Sequence, residues 1–168
     1  YYMVVTFSIT YLSHIKVDTT RILTLLFIAH ILHAIAIPLV GMLADRWGRK
    51  PVYISGAALA MAWPFLAFPM FGSGHAAIFL GALVHALMYA PQPAIMAEMF
   101  PTRMRYSGVS LGYQVTALFA GSWAPLIGTA LLRQYESWVP IAFYIMGAAA
   151  ISLLAALYMR ESRGISLA

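Results

Sequence analysis

Two apolar runs, Ile22 to Val40 and Val52 to Phe71, carry no Asp, Glu, Lys or Arg. They flank the hydrophilic hinge Gly41-Met42-Leu43-Ala44-Asp45-Arg46-Trp47-Gly48-Arg49-Lys50. Each run matches the ~20 residues that cross a bilayer as a helix. A connection this short makes the two helices antiparallel neighbours that turn at one membrane face. Arg46, Arg49 and Lys50 sit in its last five residues, so that face is expected to be cytoplasmic. Gly41 and Gly48 offer small surfaces or unusual backbone angles for the reversal. Asp45 is the only acid of the hinge, and the cations can pair with it, with acids on other loops or with anionic lipid head groups.

The rest of the chain has the same character. It is 62% hydrophobic and 9% charged, with a mean hydropathy of +0.83, which predicts an all-α, polytopic membrane protein. Tyr1 to Ser13 is apolar but covers only roughly 20 Å of a ~30 Å core; it reads as the second half of a helix whose start is missing. Full spans are expected over about 22–43, 52–71, 76–97, 108–132 and 139–159, followed by a tail over 160–168. Asp18-Thr19-Thr20 offers an N-cap for the first full span, and Gly72-Ser73-Gly74-His75 reads as an external turn. Aromatic residues near the span ends, Trp47, Tyr53, Tyr106, Tyr135, Trp138 and Tyr158, fit an interfacial girdle, with one or two left for packing.

Cation placement orients these spans. Alternate connections hold Arg46, Arg49 and Lys50, then Arg103 and Arg105, then Arg160 and Arg163; the opposite ones hold Lys16, Arg21 and Arg133. Seven against three puts the hinge, the second loop and the C-terminus inside. The net charge of +5 is spent on orientation and forms no continuous stripe for nucleic acid. There is no cysteine, hence no disulfide, thiolate or Cys-based zinc chemistry. No His-Glu-x-x-His or Gly-x-x-x-x-Gly-Lys-[Ser/Thr] string occurs, which argues against a zinc enzyme or an ATP-driven pump and implies neither cofactor nor metal.

The hinge resembles the signature loop of the major facilitator superfamily, G-x-L-x-D-R-x-G-R-[RK], at Gly41, Leu43, Asp45, Arg46, Gly48, Arg49 and Lys50. A second string, Ala97-Glu98-Met99-Phe100-Pro101-Thr102-Arg103-Met104-Arg105, continuing through Tyr106 to Gln114, is similar to the corresponding loop and helix of the metabolite–proton symporters of that superfamily. Sugar porters share its first part and usually lack the continuation. Glu161-Ser162-Arg163-Gly164 resembles the tail of both branches, with Arg160 where Pro is common. The resemblance covers essentially the whole chain. It implies one six-helix bundle, helices 7 to 12 of a twelve-helix transporter, with the first helix truncated and the N-terminal half absent.

In the second loop Pro101 ends the preceding helix and Thr102 can cap the next. Glu98, Arg103 and Arg105 lie on the same face as Asp45, Arg46 and Arg49, and such a cluster can latch that side and release when helices rock. Gly108, Gly112, Gly121 and Gly128 mark a helix that approaches its neighbours closely, Gly108-x-x-x-Gly112 being a small-residue packing pattern. Pro91-Gln92-Pro93 interrupts the 76–97 span, and interrupted helices line transport sites near the midplane. His85, Tyr89 and Gln92 accompany that break and are candidate pathway residues. The resemblance adds the first helix, with Tyr2, Thr6 and Tyr11. A proline kink used only for packing explains the break equally well.

His30 and His33 share one face of the first full span. Ionisable groups at this depth are candidate proton sites, although interhelical hydrogen bonding also accounts for them. No acid occurs at membrane depth in this chain, so a proton-carrying carboxylate is expected in the absent half. The implied function is secondary active transport of a small polar metabolite, an organic acid or zwitterion, with a proton, across the inner membrane. The implied partners are the bilayer and the N-terminal half. A sugar-porter-like carrier or uniporter, and a truncated product that inserts without transporting, are the alternatives.

Overall fold

The computed structural model describes residues 2–73 and 76–159. Tyr1, Gly74 and His75 of the external turn, and the 160–168 tail with Arg160, Glu161 and Arg163, lie outside the described residues. Among the described residues the chain is helical without strands: α1 (Tyr2–His14), α2 (Thr19–Trp47), α3 (Arg49–Ser73), α4 (Ala76–Tyr89), α5 (Gln92–Glu98), α6 (Arg105–Tyr135) and α7 (Val139–Tyr158). Five helical stretches among the described residues are long and apolar enough to cross a membrane: Thr19–Trp47, Arg49–Phe71, Ala77–Glu98, Arg105–Tyr135 and Val139–Tyr158. α1, at 13 residues, is short of a full crossing.

The hinge is tighter than its composition suggested. Instead of ten hydrophilic residues between helices, α2 runs on to Trp47 and α3 begins at Arg49. Met42, Leu43, Ala44 and Arg46 are good helix formers, so nothing local ends the helix before Gly48. Gly48 alone turns the chain, at φ 108° and ψ 143°, a conformation that side chains with a Cβ rarely adopt. Its N–H still donates to the Ala44 carbonyl at 2.9 Å. Gly41 has no such duty: a Cβ built there meets nothing within 4 Å. At the other end of α2, the Asp18 carboxylate accepts from the Arg21 N–H at 3.1 Å, capping the first turn.

α3 packs on α4 and α7, α2 packs on α4, and α1 lies along α6. Close approach depends on glycine at particular points. A Cβ on Gly56 would sit 2.8 Å from the Leu87 and Met88 side chains of α4, and one on Gly128 would sit 2.9 Å from the Phe7 ring of α1. The Gly108-x-x-x-Gly112 pair is not a helix seam: Gly108 accommodates the Phe100 ring of its own loop, and Gly112 only skirts Met96 at 3.8 Å.

The main core lies at the helix ends remote from Gly48. Phe7, Tyr11 and Leu12 of α1, Ile22 and Leu26 of α2, Phe68 and Phe71 of α3, Ile78 of α4, Leu132 of α6 and Ile141 of α7 meet there. Its rings touch edge to face: Tyr11 and Phe68 lie 5.0 Å apart at 77°, Phe68 and Phe71 5.8 Å apart at 74°. Such pairs contribute about 0.5–1.5 kcal/mol each beyond area burial. In lipid this packing matters more than in water, because the hydrocarbon is as apolar as the side chains. Trp138 stacks on Phe68 at 5.7 Å and so belongs to the packing rather than to the girdle. Trp47, Tyr106, Tyr135 and Tyr158 are exposed.

Candidate functional site: a mid-depth cavity above a basic face

Two constellations emerge, one at the membrane face that carries Gly48 and one at mid-depth. At the face, Arg49 is joined to Glu98, and it also lies 3.5 Å from Asp45. Glu98 is nearly buried, its side chain 10% exposed, while Asp45 is 68% exposed. The α2–α3 turn is thereby tied to the end of α5. Lys50 does something the sequence did not indicate. Its ammonium donates to the carbonyls of Leu157, at 2.9 Å, and Met159, at 2.5 Å. These close the C-terminus of α7, where unpaired carbonyls and the helix dipole favour a cation. Arg105 plays the same part for α5: its Nε donates to the Ala97 carbonyl at 2.8 Å and its guanidinium reaches the Thr102 hydroxyl at 3.4 Å. Thr102 therefore holds Arg105 and does not cap α6, whose N-cap position is Met104, without a side-chain cap bond. Pro101 opens a turn in which its carbonyl accepts from the Met104 N–H at 2.9 Å.

Arg46 and Arg103 are exposed on this face and stand outside the Arg49 pairs. The expected six-residue latch contracts to Arg49 with Asp45 and Glu98, plus two cations on helix ends. These contacts bring the α2–α3 turn, the α5–α6 loop and the end of α7 to one face, because Arg49 and Lys50 adjoin in sequence and reach both.

At mid-depth, a cavity of about 500 Å³ is lined by side chains of α1, α2, α4, α5 and α6. Its wall begins at the proline break. α4 ends at Tyr89, Pro91 is buried, and α5 starts at Gln92 with a proline in its first turn. Pro91 and Pro93 cannot donate to the Leu87 and Tyr89 carbonyls four residues earlier, so the helix is interrupted there. His85, Tyr89 and Gln92 all line the cavity. Tyr11 does not: at 8% exposure it is held among Phe7, Phe68 and Phe71 in the core. From α1 the cavity takes Tyr2 instead. The Thr6 side chain lies outside those described.

His33 makes an interhelical hydrogen bond. His33 Nε2 and His85 Nδ1 share a hydrogen bond of 2.9 Å between α2 and α4. One ring supplies the N–H and the other the lone pair. His30 is turned along its own helix: its Nδ1 donates to the Leu26 carbonyl at 2.6 Å, since a carbonyl can only accept. Tyr89 stacks on His85 at 5.3 Å and 27°. Among the described residues no set of three or more His, Cys, Asp or Glu side chains converges on a metal position.

The remaining wall went unnoticed in the sequence. Tyr113, Thr116, Ala117 and Ala120 of α6 face the cavity together with Ile37 and Met96. Their spacing, 113, 116, 117 and 120, is one helical face. A tyrosine and a threonine on one face of a glycine- and alanine-rich helix were the available signal. Tyr113 and Tyr89 face the same cavity, and the Tyr2 ring rests where a Cβ on Gly121 would approach it to 3.0 Å. Among the described residues no Asp, Glu, Lys or Arg lines this cavity.

Comparison with known proteins places this architecture. The chain is 34% identical over 139 residues to the shikimate transporter of Escherichia coli, which covers 79% of this chain and 32% of that protein. It is 33% identical over 171 residues to the glycine betaine/proline/ectoine/pipecolic acid transporter OusA of Dickeya dadantii, 96% of this chain and 33% of that one. With the inner membrane metabolite transport protein YhjE of Escherichia coli it shares 29% identity over 99% of its length and 40% of the relative's. The chain thus spans about a third to two-fifths of the length of these relatives, each of them a transporter or transport protein. No solved structure matches. The family model described as Major Facilitator Superfamily matches residues 1–166, and with the helical bundle and its mid-depth cavity this identifies the chain as a member of the Major Facilitator Superfamily.

Proposed function

We propose that this chain is the C-terminal six-helix bundle of a secondary active transporter that moves a small polar metabolite, an organic acid or zwitterion, across the inner membrane with a proton. The observation that carries the reading is the cavity itself. Among the described residues no Asp, Glu, Lys or Arg lines it, and it lies at mid-depth beside an interrupted helix, walled by five helices. A transporter's substrate site has this position and this kind of backbone irregularity. A second bundle completes the site, since alternating access works by rocking two bundles about the substrate between them. The relatives named for shikimate and for betaine and proline give the substrate range its two poles.

The basic face is assigned to the cytoplasm by its cations, and Arg49 with Glu98 serves as the contact that rocking must open. His33 and His85 act as an interhelical strut; a proton-carrying role for His30 or His33 is the alternative that pH-dependent uptake addresses. The test is uptake by the purified native protein in proteoliposomes under an imposed inward proton gradient, with radiolabelled shikimate, proline and glycine betaine. Accumulation that collapses with a protonophore is expected. No uptake of any of the three by well-folded protein would overturn the transporter reading, and gradient-independent equilibration would overturn the proton coupling.

A further inference from the structure

We infer that His33 and His85 together bind a divalent transition-metal ion of the Zn²⁺ class, which takes the place of their hydrogen bond and ties α2 to α4. The binding chemistry stands on the pair alone; that the bound ion slows uptake rests on the transporter reading.

Two ring nitrogens from different helices already converge. His33 Nε2 and His85 Nδ1 lie 2.9 Å apart, with one proton between them. A tetrahedral ion with Zn–N bonds of about 2.0–2.1 Å holds two imidazole nitrogens about 3.3 Å apart. The rings therefore need to part by only about 0.4 Å. Their surroundings allow it. A void of about 20 Å³, walled by Leu26, Ala29, Ile78 and Ala82, adjoins both rings. Tyr89 stacks on His85 at 5.3 Å and 27°, which sets that ring's plane before an ion arrives. Both histidines also line the larger cavity of about 500 Å³. It has room for water, at about 30 Å³ a molecule, in the ion's remaining positions.

Tautomerism accounts for the proton. A neutral imidazole carries its N–H on either nitrogen. The ring that donates within the pair passes its proton, through cavity water, to its other nitrogen. Both facing nitrogens then offer lone pairs, and the protein neither gains nor loses a proton. The donor set fixes the class of ion. Imidazole nitrogens suit Zn²⁺, Cu²⁺ and Ni²⁺. Mg²⁺ and Ca²⁺ take oxygen ligands, and among the described residues no Asp or Glu lines the cavity. His30 stays out, its Nδ1 being turned to the Leu26 carbonyl, and among the described residues no set of three His, Cys, Asp or Glu side chains converges. A structural zinc site takes four protein ligands; two ligands with open positions make a labile site, loaded and unloaded with the ion's concentration.

The deciding experiment is Zn²⁺ binding to the purified native protein, free of any histidine tag, by equilibrium dialysis. Electron paramagnetic resonance of bound Cu²⁺ counts the coordinated imidazoles. The expected result is a Zn²⁺ site that excess Mg²⁺ does not empty and whose affinity falls roughly ten-fold or more in both His33→Gln and His85→Asn, since losing a ligand costs no less than losing an outer-shell partner. Both amides retain hydrogen-bonding atoms on their side chains. His30→Gln stays within about three-fold of the parent. His14, which is exposed, is present in every variant and reports surface binding. Absence of bound Zn²⁺, copper coupled to a single imidazole, or full affinity in either variant overturns the inference. The copper signal is read on unaltered protein, so it decides even where a variant fails to fold. Zn²⁺ should slow gradient-driven uptake by the parent and not by His33→Gln; binding that leaves uptake unchanged overturns the inhibition. Uptake without Zn²⁺ binding overturns this inference and leaves the transporter reading intact, and Zn²⁺ binding without uptake of any solute does the reverse.

Discussion

Glu98→Gln and Asp45→Asn remove one negative charge each from the same arginine, yet their consequences differ. Glu98 is nearly buried and joined to Arg49, which is itself 31% exposed. Removing one partner of a fully buried pair costs about 3–5 kcal/mol, because a charge is left without compensation. Here Arg49 keeps partial access to water and keeps Asp45 at 3.5 Å, so about 2 kcal/mol is the reasonable figure for Glu98→Gln. Asp45 is mostly solvated, and exposed pairs contribute about 0.2–1 kcal/mol. Asp45→Asn therefore costs about 0.5 kcal/mol or less, and its effect fades with added salt while that of Glu98→Gln persists. The assay is equilibrium unfolding of the native protein in mixed dodecyl maltoside and dodecyl sulfate micelles, followed by helical circular dichroism. A double-mutant cycle of Glu98→Gln with Arg49→Gln should give a coupling of about 1–2 kcal/mol. Coupling below about 0.5 kcal/mol, or Asp45→Asn costing as much as Glu98→Gln, would refute the assignment of Glu98 as the principal partner. In uptake assays both variants should insert normally and transport less.

The histidine pair should behave as a unit. His85→Leu or His33→Leu alone removes the interhelical hydrogen bond and costs about 1–3 kcal/mol, whereas the double substitution costs less than the sum, as thermal unfolding will show. The glycines should separate by geometry: Gly48→Ala costs about 1–3 kcal/mol for its backbone angles, Gly56→Leu fails to assemble α3 on α4, and Gly41→Ala is tolerated by this bundle. Size-exclusion after heating ranks them. Because the chain contains no cysteine, single cysteines report sidedness cleanly. Arg46→Cys and Arg103→Cys should label from one side with an impermeant maleimide, and Arg133→Cys from the other. Lys50→Met should free the end of α7, seen as faster amide exchange over the residues near Met159.

The sequence alone determined that this is a membrane-spanning helical bundle and identified the residues about which it turns. Hydropathy is summed along one helix, and Gly48 and the Pro91–Pro93 break act on their own backbone, so these features are local and visible without the fold. His85, Tyr89 and Gln92 were legible as cavity residues because the prolines beside them announce an irregular helix. Tertiary structure decided what faces what. Helix rotation sent Tyr11 into the aromatic core and brought Tyr2 and Tyr113 to the cavity, although all three are tyrosines in apolar helices. His33 found His85, 52 residues away, and not its neighbour His30, because a hydrogen bond between helices depends on their relative rotation and depth. Lys50 and Arg105 reach helix carbonyls, since a helix end offers acceptors only where another element delivers it. Partner choice is a property of helices assembled in register, and no window along the chain contains it.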